Sequence, residues 1–193
     1  IAQLPFDANE GQLELLDKLS KFIVCPTPRK AFILRGYAGT GKTSIMAALV
    51  HAMRDLKQRI VLLAPTGRAA KVLSKYAQTP AYTIHKYIYR ARAKSAPSLE
   101  NATLQFRGYE ARGERQAFSL RDNLHKNTLF IIDEASMISG LRDNPIFGSG
   151  MLLEDLVRYV YSGEGCSMLL LGDDAQLPPV GSNQSPALSS EYM

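Results

Sequence analysis

Three observations predict an α/β fold for this 193-residue chain, with a mostly parallel central sheet and helices on both of its faces. Continuous apolar runs at 31–34, 60–64, 129–132 and 167–171 read as strands buried on both sides, because a half-exposed strand would alternate instead. Segments with apolar residues at helical spacing separate these runs, the order that crossover connections between parallel strands produce. Between the first run and the next helical segment lies Gly36-Tyr37-Ala38-Gly39-Thr40-Gly41-Lys42-Thr43. It fits G-x-x-x-x-G-K-S/T, the phosphate-binding loop, in the strand–loop–helix setting that the motif requires.

The elements follow in order. Asn9 is placed to cap a helix whose apolar positions are Leu13, Leu16, Leu19, Phe22 and Ile23, and Pro26 and Pro28 end it. A helix from Thr43 to about Asp55 follows the phosphate loop. After the strand at 60–64, Pro65-Thr66-Gly67 forms a turn, and helical pieces are expected near 69–77 and 83–91. From 92 to 125 charged and small polar residues dominate. Two short alternating segments, 103–107 and 116–120, flank Gly108 and Gly113 and predict a small inserted hairpin, with a long loop as the alternative. A third strand at 129–132, a loop at 140–150, a helix at 151–161 and a fourth strand at 167–171 complete the pattern.

Composition sets limits. Hydrophobic residues make up 46% and charged residues 21%, enough for one domain with a substantial core. The net charge of +5 is too mild to indicate a nucleic-acid partner by itself. Cys25 and Cys166 have no paired spacing, which suggests a reduced, cytoplasmic protein rather than a disulfide or cysteine–metal framework. No apolar run approaches the ~18 residues that span a bilayer, so no membrane partner is expected.

The chemistry gathers around the loop. Backbone N–H groups of Gly36, Ala38, Gly39, Thr40 and Gly41 would cradle the α- and β-phosphates of ATP, with Lys42 reaching the β/γ-phosphates and the Thr43 hydroxyl holding Mg2+. Asp133 and Glu134 directly follow the third strand, at the end of an α/β sheet where ligands bind. Asp133 is the candidate metal ligand beside Thr43, and Glu134 the candidate base for an attacking water. Gln176 follows the fourth strand in Gly172-Asp173-Asp174-Ala175-Gln176 and could reach the γ-phosphate, although a polar turn would look the same. Gln12 has the amide chemistry to read adenine, but a solvated helix glutamine is the commoner case.

In sequence, these segments resemble the first RecA-like domain of a superfamily-one DNA helicase of the RecD-like type. Gly36–Thr43 resembles motif I, Ala64-Pro65-Thr66-Gly67-Arg68-Ala69-Ala70 motif Ia, and Thr83-Ile84-His85-Lys86 motif Ib. Ile131-Ile132-Asp133-Glu134-Ala135-Ser136 resembles motif II, residues 172–180 motif III, and Asn9-Glu10-Gly11-Gln12 the adenine-reading Q motif. The resemblance implies a RecA-like P-loop fold, ATP and Mg2+ as cofactors, Lys42, Glu134 and Gln176 as catalytic residues, and Gln12 as the adenine reader. It also implies a single-stranded DNA face at Thr66, Arg68, Thr83 and His85, with Lys71 and Lys86 nearby, and a strand-separating insertion for which 92–125 is the candidate. Such helicases hold ATP between two RecA-like domains. The expected division is therefore a first domain at 1–181 and the start of a linker, at 182–193, towards a second domain of the same full-length protein. A phosphate-loop ATPase or kinase not coupled to DNA is the alternative, and a DNA-binding module without catalysis a more distant one.

Overall fold

A computed structural model describes residues 8–37, 39–91, 118–141, 146–173, 175–176 and 185–189. The strands β1 (Ala31–Arg35), β2 (Arg59–Ala64), β3 (Ala81–Thr83), β6 (Thr128–Ile132) and β7 (Ser167–Gly172) form one sheet. Their order is β1-β7-β6-β2-β3, and every pairing in it is parallel. Two further strands, β4 (Tyr89–Ala91) and β5 (Phe118–Leu120), pair antiparallel as a separate ribbon.

Side chains alternate across the sheet with period two and fill two cores. Leu62, Leu129, Ile131, Leu169 and Leu171 face the helices α1 (Glu10–Val24), α2 (Lys42–Asp55) and α3 (Gly67–Ala77), packing with Leu19, Ile45, Met46, Val50 and Leu73. Leu63, Phe130, Ile132, Met168 and Leu170 face the opposite way, towards α4 (Ile84–Ile88) and α5 (Leu152–Ser162), with Ile84, Ile88, Leu156 and Val160. Helices therefore cover both faces, as expected for a RecA-like P-loop fold. No described helix is long and apolar enough to cross a membrane.

Three expectations change. The helical piece expected at 83–91 is reduced to five residues, Ile84–Ile88, with strands on either side. Ala81-Tyr82-Thr83 pairs with Leu62-Leu63-Ala64 as the sheet edge, and the Thr83 side chain accepts from Lys86 N at 3.3 Å to start the helix. Ile84 and Ile88 carry the helical spacing, whereas Tyr89 to Ala91 is taken up by pairing with β5.

The second concerns 92–125. Residues 118–125 belong to the body: Arg121 Nε donates to Tyr89 O at 2.7 Å, Asn123 donates to Tyr159 O and Val160 O, and Tyr87 OH lies 2.8 Å from His125 Nε2. The segment 103–107 lies outside the described residues. The third concerns the expected linker. Pro186, Ala187 and Leu188 form a buried 3-10 turn in the core beside β7, with the Arg35 guanidinium donating to Leu188 O. Leu188 sits so close to Gly172 that an added Cβ would lie 2.6 Å from its Cδ2, so the described residues 185–189 pack as part of the domain body.

The root of the ribbon is tied to α5 through a buried carboxylate. Asp155 Oδ2 accepts from Tyr89 OH at 2.7 Å and from Ser149 N at 2.8 Å, so both donors satisfy a group that would otherwise be costly to bury. Burial, reinforced by this bond, pushes the Tyr89 hydroxyl far above its ordinary pKa and keeps it a donor. Gly148, at φ +48, leaves no room for a Cβ, which would meet Asp155 Oδ2 at 2.0 Å.

Phe130 sits fully buried in the centre of β6, so Phe130→Ala is expected to lower stability by about 3–5 kcal/mol in denaturant unfolding with little change in m. A loss below ~1 kcal/mol would contradict this placement.

Candidate nucleotide site

The site assembles at the carboxyl ends of three neighbouring strands. β1 runs into the phosphate loop, β6 into Asp133-Glu134 and β7 into Asp173, and β7 lies between the other two. Gly36 N donates to Gly172 O at 3.2 Å, extending the β1–β7 pairing into the loop itself.

The loop turns through Gly39 (φ +79) and Gly41 (φ +86), left-handed positions that suit glycine. Gly41 is also the N-cap of α2 and gives no side-chain cap, while Asn9, Thr66 and Thr83 close α1, α3 and α4. Free N–H groups at the start of α2, with no acid in its first turn, suit an anion. Thr43 lies in that first turn, half-buried. Thr40 Oγ1 donates to Tyr37 O at 2.8 Å and holds the loop's turn. Ala38 lies outside the described residues.

Lys42 folds back over the loop. Its Nζ donates to Gly36 O and to Tyr37 O, the latter at 2.8 Å, and lies 3.7 Å from Asp173 Oδ2. Asp173 is 3% exposed, and its other oxygen accepts from Ala175 N at 2.9 Å. The ammonium therefore rests among carbonyls and one buried carboxylate, donor-ready for phosphate oxygens.

Asp133 is half-buried, with Oδ1 accepting from Glu134 N at 3.0 Å. Burial raises its pKa, partly opposed by that bond and by the Lys42 charge. Glu134 takes φ +54, a left-handed conformation unusual for a non-glycine residue, before the short 3-10 turn Ala135–Met137. Strain of this kind concentrates at functional positions. The buried Ser136 hydroxyl donates to Gln176 Oε1 at 3.4 Å, bringing the segment after β6 against the segment after β7. Among the described residues no group of three or more His, Cys, Asp or Glu could hold a metal; a hard cation held by Asp133, Thr43 and phosphate oxygens needs none.

Gln12 is half-buried and its side chain is engaged. It closes a capping box with Asn9, accepting from Asn9 N at 3.1 Å, and its Nε2 donates to Thr40 O at 3.4 Å. Its amide is thus tied to the phosphate loop.

The residues expected on a DNA face divide. Lys71, Thr83 and Lys86 line one groove between α3 and β3–α4. Thr66 caps α3, accepting from Ala69 N at 3.2 Å, and Arg68 is exposed on the first turn. His85 turns elsewhere: it is half-buried, with ring centroids 5.0 Å from Phe147 and 5.8 Å from Tyr89, and burial lowers its pKa.

A family model described as an AAA domain matches residues 7–189. The chain belongs to the AAA domain family. Among curated relatives, the ATP-dependent RecD2 DNA helicase of Deinococcus radiodurans is 28% identical over 174 residues, covering 89% of this AAA domain and 18% of the relative. The ATP-dependent DNA helicase dda of Enterobacteria phage T4 is 27% identical over 187 residues, covering 96% and 36%. An uncharacterized Methanocaldococcus jannaschii protein is 28% identical over 185 residues, covering 91% and 14%. These likenesses agree with the resemblance to a superfamily-one RecD-like helicase domain. The AAA domain spans little more than a third of even the shortest of these three relatives.

Two groups that sequence reasoning did not single out belong to this AAA domain's site, Asp173 and Ser136. Asp173 shares the signal that marked Asp133, an acid directly after a buried strand; Ser136 has only its place two residues after Glu134.

Burial favours the neutral Asp133 carboxyl in the fold. Its contribution to stability is complete below the ordinary pKa of 3.8 and lost as pH rises through the raised value. Asp133→Asn keeps the acceptor for Glu134 N. It is expected to raise Tm at pH 7, a gain that closes below about pH 4. A fall in Tm at pH 7 would sink this account.

Proposed function

We propose that this domain is the ATP-binding motor domain of an ATP-dependent DNA helicase, which hydrolyses ATP to move along single-stranded DNA and separate a duplex. One observation carries the reading: a phosphate loop with its lysine, two strand-end acids and a glutamine converge at the ends of β1, β7 and β6. The relatives' printed names, ATP-dependent DNA helicases, support coupling to DNA over turnover unconnected with it.

In this reading Gly36, Ala38, Gly39, Thr40 and Gly41 hold the phosphates of ATP, and Gln12 lies beside the loop for the adenine. Lys42 leaves the loop carbonyls and Asp173 for phosphate oxygens and neutralises their charge. Mg2+, held by Thr43 and Asp133, supplies further charge neutralisation when bound. Glu134 orients the attacking water and takes its proton. Gln176, its amide oxygen engaged by Ser136, keeps its NH2 for the γ-phosphate and links occupancy to motion. Thr66, Arg68, Lys71, Thr83 and Lys86 contact the DNA backbone without reading sequence; His85, tilted against Tyr89 and edge-on to Phe147, acts from the edge of that face. A second RecA-like domain of the same full-length protein closes the site and contributes an arginine, and residues after Ser189 lead towards it. The free thiols Cys25 and Cys166 suit the cytoplasm.

The decisive measurement is ATP turnover by the full-length protein with and without single-stranded DNA. Turnover is expected to rise with DNA, and Lys42→Ala to abolish it. The 193-residue chain alone is expected to bind ATP–Mg2+ weakly, hydrolyse it slowly and not unwind duplex. Turnover indifferent to DNA would favour an ATPase of another kind.

A further inference from the structure

From Leu56 to Leu99 the sequence contains no Asp or Glu and nine Lys or Arg, although the whole chain carries a net charge of only +5. The rest of the chain is therefore net acidic, and the positive charge is concentrated in one block. The described part of that block, β2, α3, β3 and α4, forms one flank of the sheet, ending at the edge strand β3. Such asymmetry creates a local field for a polyanion that net charge does not reveal.

That flank has a groove of about 470 Å³, with Lys71, Ser74, Lys75, Tyr82, Thr83 and Lys86 among its lining and no acid. Lys71 and Lys75 stand one turn apart on the same face of α3, with Ser74 between them. No described salt bridge takes Lys71, Lys75 or Lys86. The groove descends from the tops of α3 and β3 along the flank, so it extends beyond Thr66, Arg68 and Thr83 towards the middle of α3.

Tyr82 gives the groove its second chemistry. In register with Leu63 of β2, its ring leaves the edge strand on the α4 side, with Lys86 and across β3 from Lys71 and Lys75, and the residue is 40% exposed. The ring is braced by Tyr87 at a centroid distance of 5.4 Å, and Tyr87 is fixed in turn by His125 and by edge contacts with Phe130 and Tyr159. A rigid, part-exposed aromatic beside unpaired cations is the combination that binds single strands, the cations taking phosphates and the ring taking the face of any base.

We propose that this groove is a subsite for single-stranded DNA, in which Lys75 and Ser74 hold a phosphate beyond those reached by Lys71 and Lys86, and Tyr82 stacks on an unpaired base. The inference rests on the helicase reading and deepens it: the strand runs down the α3–β3 flank and does not end at the strand tips. Ring stacking there accepts every base, as a motor moving along any sequence requires.

The test is fluorescence anisotropy of the full-length protein with labelled oligo-dT of about a dozen nucleotides, across a salt series, and with an abasic oligomer of the same length. Lys75→Ala is expected to weaken binding and to reduce the slope of log K against log salt by about 0.7, the loss of one single-strand phosphate contact. Tyr82→Ala is expected to weaken oligo-dT binding between about fivefold and a hundredfold with an unchanged slope, to leave the abasic oligomer unaffected, and to be rescued by Tyr82→Phe. Lys75 is exposed on a helix surface, so its variant tests the subsite even if Tyr82→Ala fails to fold. If Lys71→Ala weakens binding while Lys75→Ala matches wild type and Tyr82→Ala affects both oligomers equally, the subsite is overturned and the helicase reading stands. If the wild type binds no oligo-dT, both fall.

Discussion

Parallel pairing of β1, β7 and β6 is the constraint on which the rest depends. Both faces of these strands are covered by helices, so a charged side chain along their length would be buried without water or partner. Charge is therefore confined to the strand ends, and because the strands are parallel and adjacent, three sets of ends meet at one edge. Arg35 ends β1 and Asp133 and Asp173 directly follow β6 and β7, each after an almost wholly apolar run, and in register these transitions fall within two residues of one another. The site results from where polar groups can exist in this sheet, and the phosphate loop supplies the donors that give it a ligand.

Within that edge the polar groups restrain one another. Lys42 answers the buried Asp173 and the loop carbonyls, Asp173 closes the turn that carries Gln176, and Ser136 reaches the same glutamine from the other side. Asp133 is held where burial opposes its charge, and Glu134 where its backbone is strained. Those two features weaken the fold and would be removed by selection for stability alone. They make sense if a cation and a reacting phosphate supply the missing compensation.

The parts visible in the sequence were those with a strong local physical cause. Four strands announced themselves as unbroken apolar runs, and the phosphate loop by glycines that only its turn requires. β3 and β4 were hidden because three residues carry no period, and the Ile84–Ile88 spacing overrode the strand signal on both sides. Gln12 was ambiguous because the same amide serves adenine chemistry and a capping box, and only the fold shows it reaching Thr40. His85 illustrates the reverse limit: motif position placed it on an outer face, but neighbouring aromatic rings draw it half inward. Leu188 could not be read as core from a polar tail, because the cavity above Gly172 that receives it exists only once β1 and β7 have paired.

The Tyr89–Asp155 bond links this reading to the segment between β4 and β5. Tyr89 begins the ribbon strand that leads into that segment and closes α4, the helix bearing His85 and Lys86. Its hydroxyl is locked to a carboxylate on α5, and its backbone carbonyl accepts from Arg121 at the other root. Tyr89 and Arg121 are thus fixed to the helix layer behind the sheet, while the helix that carries the basic groove's Lys86 begins five residues before Tyr89. A force on the segment would reach α4 and α5 through buried, hydrogen-bonded groups with little freedom to yield. A rigid root of this kind holds α4, and with it the groove that we propose for DNA, in a fixed relation to α5.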